Sequence, residues 1–244
     1  MKRSFVSELG KDSGRVRLMG WVYRINSFGK FAFVHLRDKS GIVQLIIEDP
    51  EWIKTLRQEM AIEVIGDPIV NDRVPGGVEI RVEQLKMVGN VYYDLLPFPI
   101  NTRGPEPGIE EQLDHRTVSL RRPAQQAIFR IQAEIAEAFH QSLRNEGFLE
   151  IHTPKIVSAG TEGGSEVFTV NYFGKRAFLA QSPQFYKQMM VGAGFERVYE
   201  IAPAYRAELH HTMRHLNEYI SMDVEMGFIE SENDLMDLEE RLLQ

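Results

Sequence analysis

Residues 195–228 read FERVYEIAPAYRAELHHTMRHLNEYISMDVEMGF, and this stretch decides the fold. Val198 to Glu208 alternates β-favouring and polar residues. Glu218 to Phe228 alternates again, with Tyr219, Ser221, Asp223 and Glu225 set against Ile220, Met222, Val224 and Met226. Between them, Leu209 to Leu216 is polar and carries His210, His211, Arg214 and His215. The pattern predicts an antiparallel pair of strands with a long connection. Side chains two apart share one face of a strand, so Arg206 and Glu208 are expected to point the same way. A guanidinium beside a carboxylate, with Arg214 and His215 in the loop, suits an anion and a base edge held together.

The rest of the chain sets bounds on that reading. With 244 residues there is room for one large domain or two smaller ones. The chain has no cysteine, which excludes a disulfide framework, a thiolate metal site and a cysteine nucleophile. MKRSFVSELG lacks the apolar core of a signal peptide and no run approaches a membrane span, so a cytoplasmic protein is expected. The formal net charge of -7 hides an asymmetry. Residues 1–37 hold eight basic side chains against Glu8 and Asp12, whereas residues 223–244 hold eight acidic ones against Arg241. A basic end on an acidic chain points to a local nucleic-acid face, unless the charges are simply scattered over the surface.

Residues 1–100 read as all-β. Strands are expected at Arg15–Tyr23, Phe31–Arg37, Ile42–Glu48, Ala61–Val70 and Val78–Val88, with a short helix near Glu51–Gln58. Five strands with one helix between the third and fourth follow the order of an OB-fold barrel, whose open face commonly binds oligonucleotides. The first three strands would present Tyr23, Phe31, Phe33 and His35 among Arg24, Arg37 and Gln44. Interleaved aromatics, cations and amides suit stacking on unpaired bases and reading their edges. The competing reading places Trp21, Phe31 and Phe33 in the barrel core. By period, Ala32, Val34 and Leu36 share the other face and make the better core.

Residues 101–122 form a linker rich in proline and glycine, and the second domain is expected over 123–244. Pro123 opens a helix with an apolar stripe of Ile128, Ile131, Ile135, Phe139 and Leu143, ended by Gly147. That stripe is core or interface. Phe148 to His152 is a strand leading into Thr153-Pro154. Thr161 to Glu166 is a Gly-pinched turn in which Glu162 could receive an ammonium. Ala177 to Gln188 runs from strand to helix, with Ser182 at the cap and Pro183 at the first helical position. Gln184 and Lys187 lie in its first turn, suited to a carboxylate or simply solvated.

Taken in order, FLEIHTP, TEGGSE, QSPQFYKQ and YRAE–LHHTMRHLNEY–ISMDVE resemble the aspartyl-tRNA synthetases of archaeal type, and the resemblance covers the whole chain. It implies an α+β class II synthetase, with an OB-fold anticodon-binding domain at 1–100 and the first part of an antiparallel-sheet catalytic domain at 123–244. The implied reaction joins L-aspartate to ATP and then to the 3′ end of tRNA(Asp), with tRNA(Asn) left open as a second acceptor. FLEIHTP would belong to the motif that forms a homodimer.

Residue by residue, the resemblance implies that Arg206 binds the ATP α-phosphate and the reacting carboxylate, and so is the catalytic residue. Glu208 would accept from the adenine amino group. Arg214 and His215 would hold the γ-phosphate, and backbone at Ala207 and Leu216 would line the adenine pocket. Glu162, Gln184 and Lys187 would join Arg206 in the aspartate pocket. Phe33, Gln44, Arg24 and Tyr23 would read the anticodon. Relatives acting on asparagine usually lack the lysine found here at 187, although VPGGVE at 74–79 is similar to theirs. The third class II motif, with its arginine, does not occur before Gln244. The ligands for Mg²⁺ are therefore expected outside this chain, and adenylate chemistry is expected to need more than these 244 residues. Three rivals are an asparaginyl- or dual-specificity enzyme, a non-catalytic tRNA- or single-strand-binding protein, and a tRNA-independent amino-acid ligase, the last disfavoured by the barrel.

Overall fold

The computed structural model describes residues 1–89, 96–101, 106–161, 167–210, 212 and 215–244. The chain divides into two compact units, Met1–Gln126 and Ala127–Gln244.

The first unit is a closed five-stranded barrel. Its strands are β1 (Val16–Ser27), β2 (Ala32–Arg37), β3 (Ile42–Ile47), β4 (Ala61–Val70) and β5 (Val78–Gly89), paired in the order β1-β2-β3-β5-β4 and closed by β4 against β1. Helix α1 (Pro50–Thr55) sits between β3 and β4 and starts on Asp49, whose carboxylate accepts from the N–H groups of Glu51 and Trp52. Alternation decides what fills the barrel. Leu18, Val22, Ala32, Val34, Leu36, Leu45, Ile47, Ile62 and Ile80 are fully buried, and Phe33 and His35 lie on the opposite face, as the period predicts.

Strand β1 runs four residues beyond its expected end, and a bulge lies at that end. Val22 pairs with Leu36 and Arg24 with His35, so Tyr23 is the extra residue. The bulge switches the parity of the strand: Ile25, not Arg24, packs on the core afterwards. The connector adds α2 (Ile109–Asp114) and α3 (Arg116–Ser119). It is tied to the barrel by Arg121, whose Nη1 donates to Glu59 Oε2 at 3.0 Å while Arg37 Nη2 donates to the same oxygen at 2.7 Å.

Helix α4 (Pro123–Asn145), most of which belongs to the second unit, is ended by Gly147 at φ +82°. Strand β6 (Leu149–Glu150) is shorter than expected and pairs parallel to β10 (Arg197–Tyr205), which pairs antiparallel to β11 (Glu218–Met226). A second small sheet holds β7 (Ile156–Val157), β8 (Thr169–Tyr172) and β9 (Lys175–Leu179). Helix α5 (Gln184–Met190) follows β9, and α6 (Asn233–Leu243) follows β11.

The β10–β11 sheet has two unlike faces. On one, Tyr199 is fully buried against Leu143, Phe148 and Leu238, with Phe139 and Val224 alongside. On the other lie Glu200, Asp223, Glu225, Ser221 and Tyr219, placed together because residues directly opposite in an antiparallel pair share a face. The apolar stripe of α4 divides likewise. Leu143 and Phe139 are in the core, whereas Ile128, Ile131 and Ile135 are more than half exposed, so that part of the stripe is surface in this chain.

Candidate active site

The polar face of β11 carries two groups of side chains. The first surrounds Arg206. Strand β10 ends at Tyr205, so Arg206 and Glu208 do not share a strand face as the alternation predicts. The backbone turns instead: Arg206 N–H donates to the Asn217 carbonyl at 3.0 Å, and Glu208 N–H donates back to the Arg206 carbonyl at 2.8 Å. Alternation continues through 208 in the sequence, but the ladder stops where the long loop must leave. The turn still gathers the pair. Arg206, Glu208, His215, Leu216 and Tyr219 line one cavity of about 330 Å³. The Arg206 guanidinium lies over the Tyr219 ring at 5.8 Å, a cation–π contact that fixes the fork.

Across the loop, Thr212 Oγ1 and His215 Nδ1 are 2.6 Å apart, and the His210 and His215 rings sit 5.8 Å apart. Glu208, Leu209, His210, Asn217 and their neighbours line an adjoining open cavity of about 660 Å³. The site therefore offers a planar cation, a carboxylate, an imidazole and an apolar wall within one hollow. Ala207 lies in the turn between Arg206 and Glu208. Arg214 and Glu162 fall outside the described residues.

The second group lies further along β11. Lys187 on α5 is almost completely buried, with 4% of its side chain exposed. Its Nζ donates to Asp223 Oδ1 at 3.2 Å and to the Val224 carbonyl at 3.3 Å, and lies 3.5 Å from Glu225 Oε2. Gln184 Nε2 donates to Glu225 at 3.2 Å. Thus Gln184 and Lys187 do come together, on a floor of two carboxylates that the sequence marked only as the polar half of an alternation. The helix cap lies one residue later than expected. Pro183 occupies the cap, and Ser182 Oγ accepts from Gln184 N–H at the long distance of 3.4 Å.

Glu200, in register with Asp223, was not foreseen. It is buried and accepts from Thr153 N–H at 2.7 Å, Thr153 Oγ1 at 2.8 Å and Lys155 Nζ at 2.9 Å. A buried carboxylate needs this degree of satisfaction. The only sequence signal is a lone acid in an apolar strand. Among the described residues, no group of three or more His, Cys, Asp or Glu could hold a metal ion. Among the described residues, no helix is long and apolar enough to cross a membrane.

In the barrel, register places Arg24, His35, Gln44 and Glu79 in one row across β1, β2, β3 and β5, and Asn26, Phe33, Ile46 and Arg81 in the next. Gln44 Nε2 donates to Glu79 at 2.7 Å, and Asn71 donates to the same carboxylate at 3.0 Å, which fixes the Gln44 amide. Phe28, Phe31 and Phe33 form a cluster with centroids 5.3–5.7 Å apart, so the turn residue Phe28 joins the expected aromatics. Burial, and then the charge of Arg24, lower the pKa of His35 and favour the neutral ring. Arg37 shares this face by register but is not presented on it as expected. It is buried against Glu59, with its guanidinium 5.3 Å from the Tyr23 ring. Trp21 is partly exposed, with Arg121 over its ring at 5.6 Å, and is not barrel core.

Residues 108–244 match the family of class II tRNA synthetases for D, K and N, and residues 16–88 match the OB-fold nucleic acid binding domain. The chain belongs to the class II tRNA synthetases. The barrel is an OB-fold, and the β10–β11 sheet is the start of the class II catalytic domain, an α+β arrangement as expected. The chain is 46% identical to the aspartate–tRNA(Asp/Asn) ligase of Methanopyrus kandleri over 96% of its length and 55% of the relative's. It is 45% identical to the ligase of the same name from Deinococcus radiodurans, over 100% of this chain and 55% of that one. The asparaginyl-tRNA synthetase of Pyrococcus horikoshii complexed with asparaginyl-adenylate superposes with a TM-score of 0.90 at 32% identity, over 100% of this chain and 57% of that one. The chain thus spans a little over half the length of the curated relatives it matches.

Proposed function

We propose that the protein to which this chain belongs is an aspartate–tRNA ligase that charges tRNA(Asp), with tRNA(Asn) as a second acceptor. Arg206 is the catalytic group of the proposal. The aspartate carboxylate attacks the α-phosphorus of ATP and displaces pyrophosphate, and negative charge builds on the α-phosphoryl oxygens. A guanidinium held over the Tyr219 ring, on a backbone tied to Asn217, meets that charge with little reorganisation. Glu208 accepts from the adenine amino group against a wall formed by Leu216 and the Ala207 backbone. His215 and Arg214 take the γ-phosphate, and Glu162 takes the substrate ammonium. ATP would carry Mg²⁺, and among the described residues no metal-binding set is gathered to hold it.

The observation that carries aspartate as substrate is the buried ammonium of Lys187 beside Gln184. A site for the neutral asparagine amide gives no reason to bury a cation. One observation favours the second reading, asparagine. Asp223 and Glu225 together outweigh Lys187, leaving a formal surplus of one negative charge, so one carboxylate must turn away before a substrate carboxylate enters. ATP–pyrophosphate exchange by the whole protein with each amino acid decides between them. Aspartate should support exchange and Lys187→Met should abolish it. Exchange that depends on asparagine, or that survives Lys187→Met, would overturn the aspartate reading.

In the barrel, Phe33 stacks on an anticodon base, Gln44 reads the central uridine, and Arg24 and Tyr23 contact its neighbours. The fixed amide of Gln44 and the packing of half-buried Phe33 against the exposed Phe28 and Phe31 support this reading. Charging of tRNA(Asp) and tRNA(Asn) transcripts by wild type and Gln44→Ala tests it. The exposed face at Ile128, Ile131 and Ile135 fits a homodimer contact. A cytoplasmic location follows from the reaction.

A further inference from the structure

The hairpin of β8 and β9 carries an unusual tip. Tyr172 pairs with Lys175, so the connection is only two residues, Phe173 and Gly174. Both have positive φ, +49° and +78°, as a two-residue turn of the type favoured in hairpins requires. Asparagine and glycine take that first position cheaply, whereas a bulky side chain there is strained. Nevertheless the residue is phenylalanine, and its side chain gains little from the fold, since Phe173 is 92% exposed. Its neighbour Tyr172 is 48% exposed, and the two rings meet edge to face at 4.9 Å.

The charged residues that flank the tip along the two strands have one sign. Lys175 and Arg176 are exposed on β9, Arg176 lies over the Phe178 ring at 5.1 Å, and no acidic residue occurs from Val167 to Phe195 in a chain of net charge -7. Strain retained for an exposed aromatic, flanked by cations in an otherwise acidic protein, is what a stacking platform for unpaired nucleotides needs. The position fits as well. Strand β9 runs from the tip to Leu179, and the carbonyl of the next residue, Ala180, accepts from Tyr205 N–H at 3.0 Å, one residue before Arg206. At the rise of an extended strand the tip is about 20 Å from that point.

We propose that Tyr172 and Phe173, with Lys175 and Arg176, bind the unpaired 3′ end of the tRNA on its way to the Arg206 cavity. The proposal rests on the tRNA-charging function above. Phe173→Asn separates it from a structural role, because asparagine suits the left-handed position that strains phenylalanine. Binding of two tRNA(Asp) transcripts, one intact and one lacking its unpaired 3′ nucleotides, is measured with thermal unfolding of each protein. Phe173→Asn should unfold at the same or a higher temperature and bind the intact transcript roughly tenfold more weakly. It should bind the shortened transcript as wild type does. Wild-type affinity of Phe173→Asn for the intact transcript would overturn the platform and leave tRNA recognition standing. So would loss of self-association in sedimentation with RNA binding unchanged, which would assign the tip to a second copy. A wild-type protein that binds neither transcript overturns both readings.

Discussion

Replacing Lys187 by methionine keeps the length and most of the volume of the side chain but removes the one cation among Asp223 and Glu225. Breaking a buried pair by deleting one partner typically costs 3–5 kcal/mol, because the other charge is left uncompensated. Here two carboxylates are left facing each other, 18% and 24% exposed, and Glu225 keeps the Gln184 amide. Partial hydration softens the penalty, so about 2–3 kcal/mol is expected. The chain has built-in reporters for locating that loss. Its two tryptophans, Trp21 and Trp52, both lie in the first unit, whereas most helical residues lie in α4, α5 and α6. In urea, at roughly 2 kcal/mol per M, the helical circular-dichroism transition should fall by about 1 M while the tryptophan transition stays in place.

A deficit below about 0.5 kcal/mol would refute the buried-cation account.

Other expectations concern each unit separately. Arg206→Lys keeps the charge but loses the fork, and calorimetric ATP affinity of the whole protein should fall about 10- to 100-fold, the worth of one charge-assisted hydrogen bond. Gly66→Ala would drive a Cβ into the Arg81 carbonyl at an irregularity in the β4–β5 ladder, so the tryptophan transition should move down by about 1–3 kcal/mol. Acid should weaken the barrel in two stages, read by tryptophan fluorescence. Burial and then Arg24 lower His35 below its usual 6.5, so its contribution is complete above 6.5 and is lost as the pH falls through the lower folded value. Burial alone would raise Asp38, but hydrogen bonds from the Ser40 hydroxyl and the N–H groups of Val6, Ser40 and Gly41 outweigh it. Asp38 is therefore held below 3.8, and its contribution is lost only as the pH falls through its lower folded value. A barrel as stable at pH 5 as at pH 7.5 would contradict the His35 part.

Much of the barrel was legible because one face of each strand is dry and the other wet, and period two writes that difference directly into the chain. Ala32, Val34 and Leu36 against Phe33 and His35 is the plainest case. Long-range polar pairing was not legible. Nothing near Arg37 announces Glu59 or Arg121, so it was read as one more cation on the binding face. The site shows the same division. Arg206, Glu208, Gln184 and Lys187 could be picked out as chemistry-bearing residues, and the fold does gather them into two groups along β11. The carboxylates beneath Lys187 could not be assigned, because a polar residue on a strand facing solvent and one facing a buried ammonium look alike in sequence. The end of β10 was misplaced for a related reason. Alternation reports side-chain preference, whereas a ladder ends where the partner strand leaves.

The bulge at Tyr23 has a consequence for recognition. Every other position of β1 between Trp21 and Ser27 answers to a partner on β2, and Gly20 cannot even admit a Cβ beside the Arg37 carbonyl. Tyr23 answers to none. Its carbonyl serves the connector instead, accepting from the Asn101 amide at 2.6 Å, a bond that any side chain at 23 would preserve. The strand thus sets aside one position, at the edge of the proposed base-reading row, that answers to no ladder partner and whose ring lies instead against the Arg37 guanidinium at 5.3 Å. On the proposed anticodon-reading role, a change of side chain at 23 alters recognition while the β1–β2 ladder keeps its register.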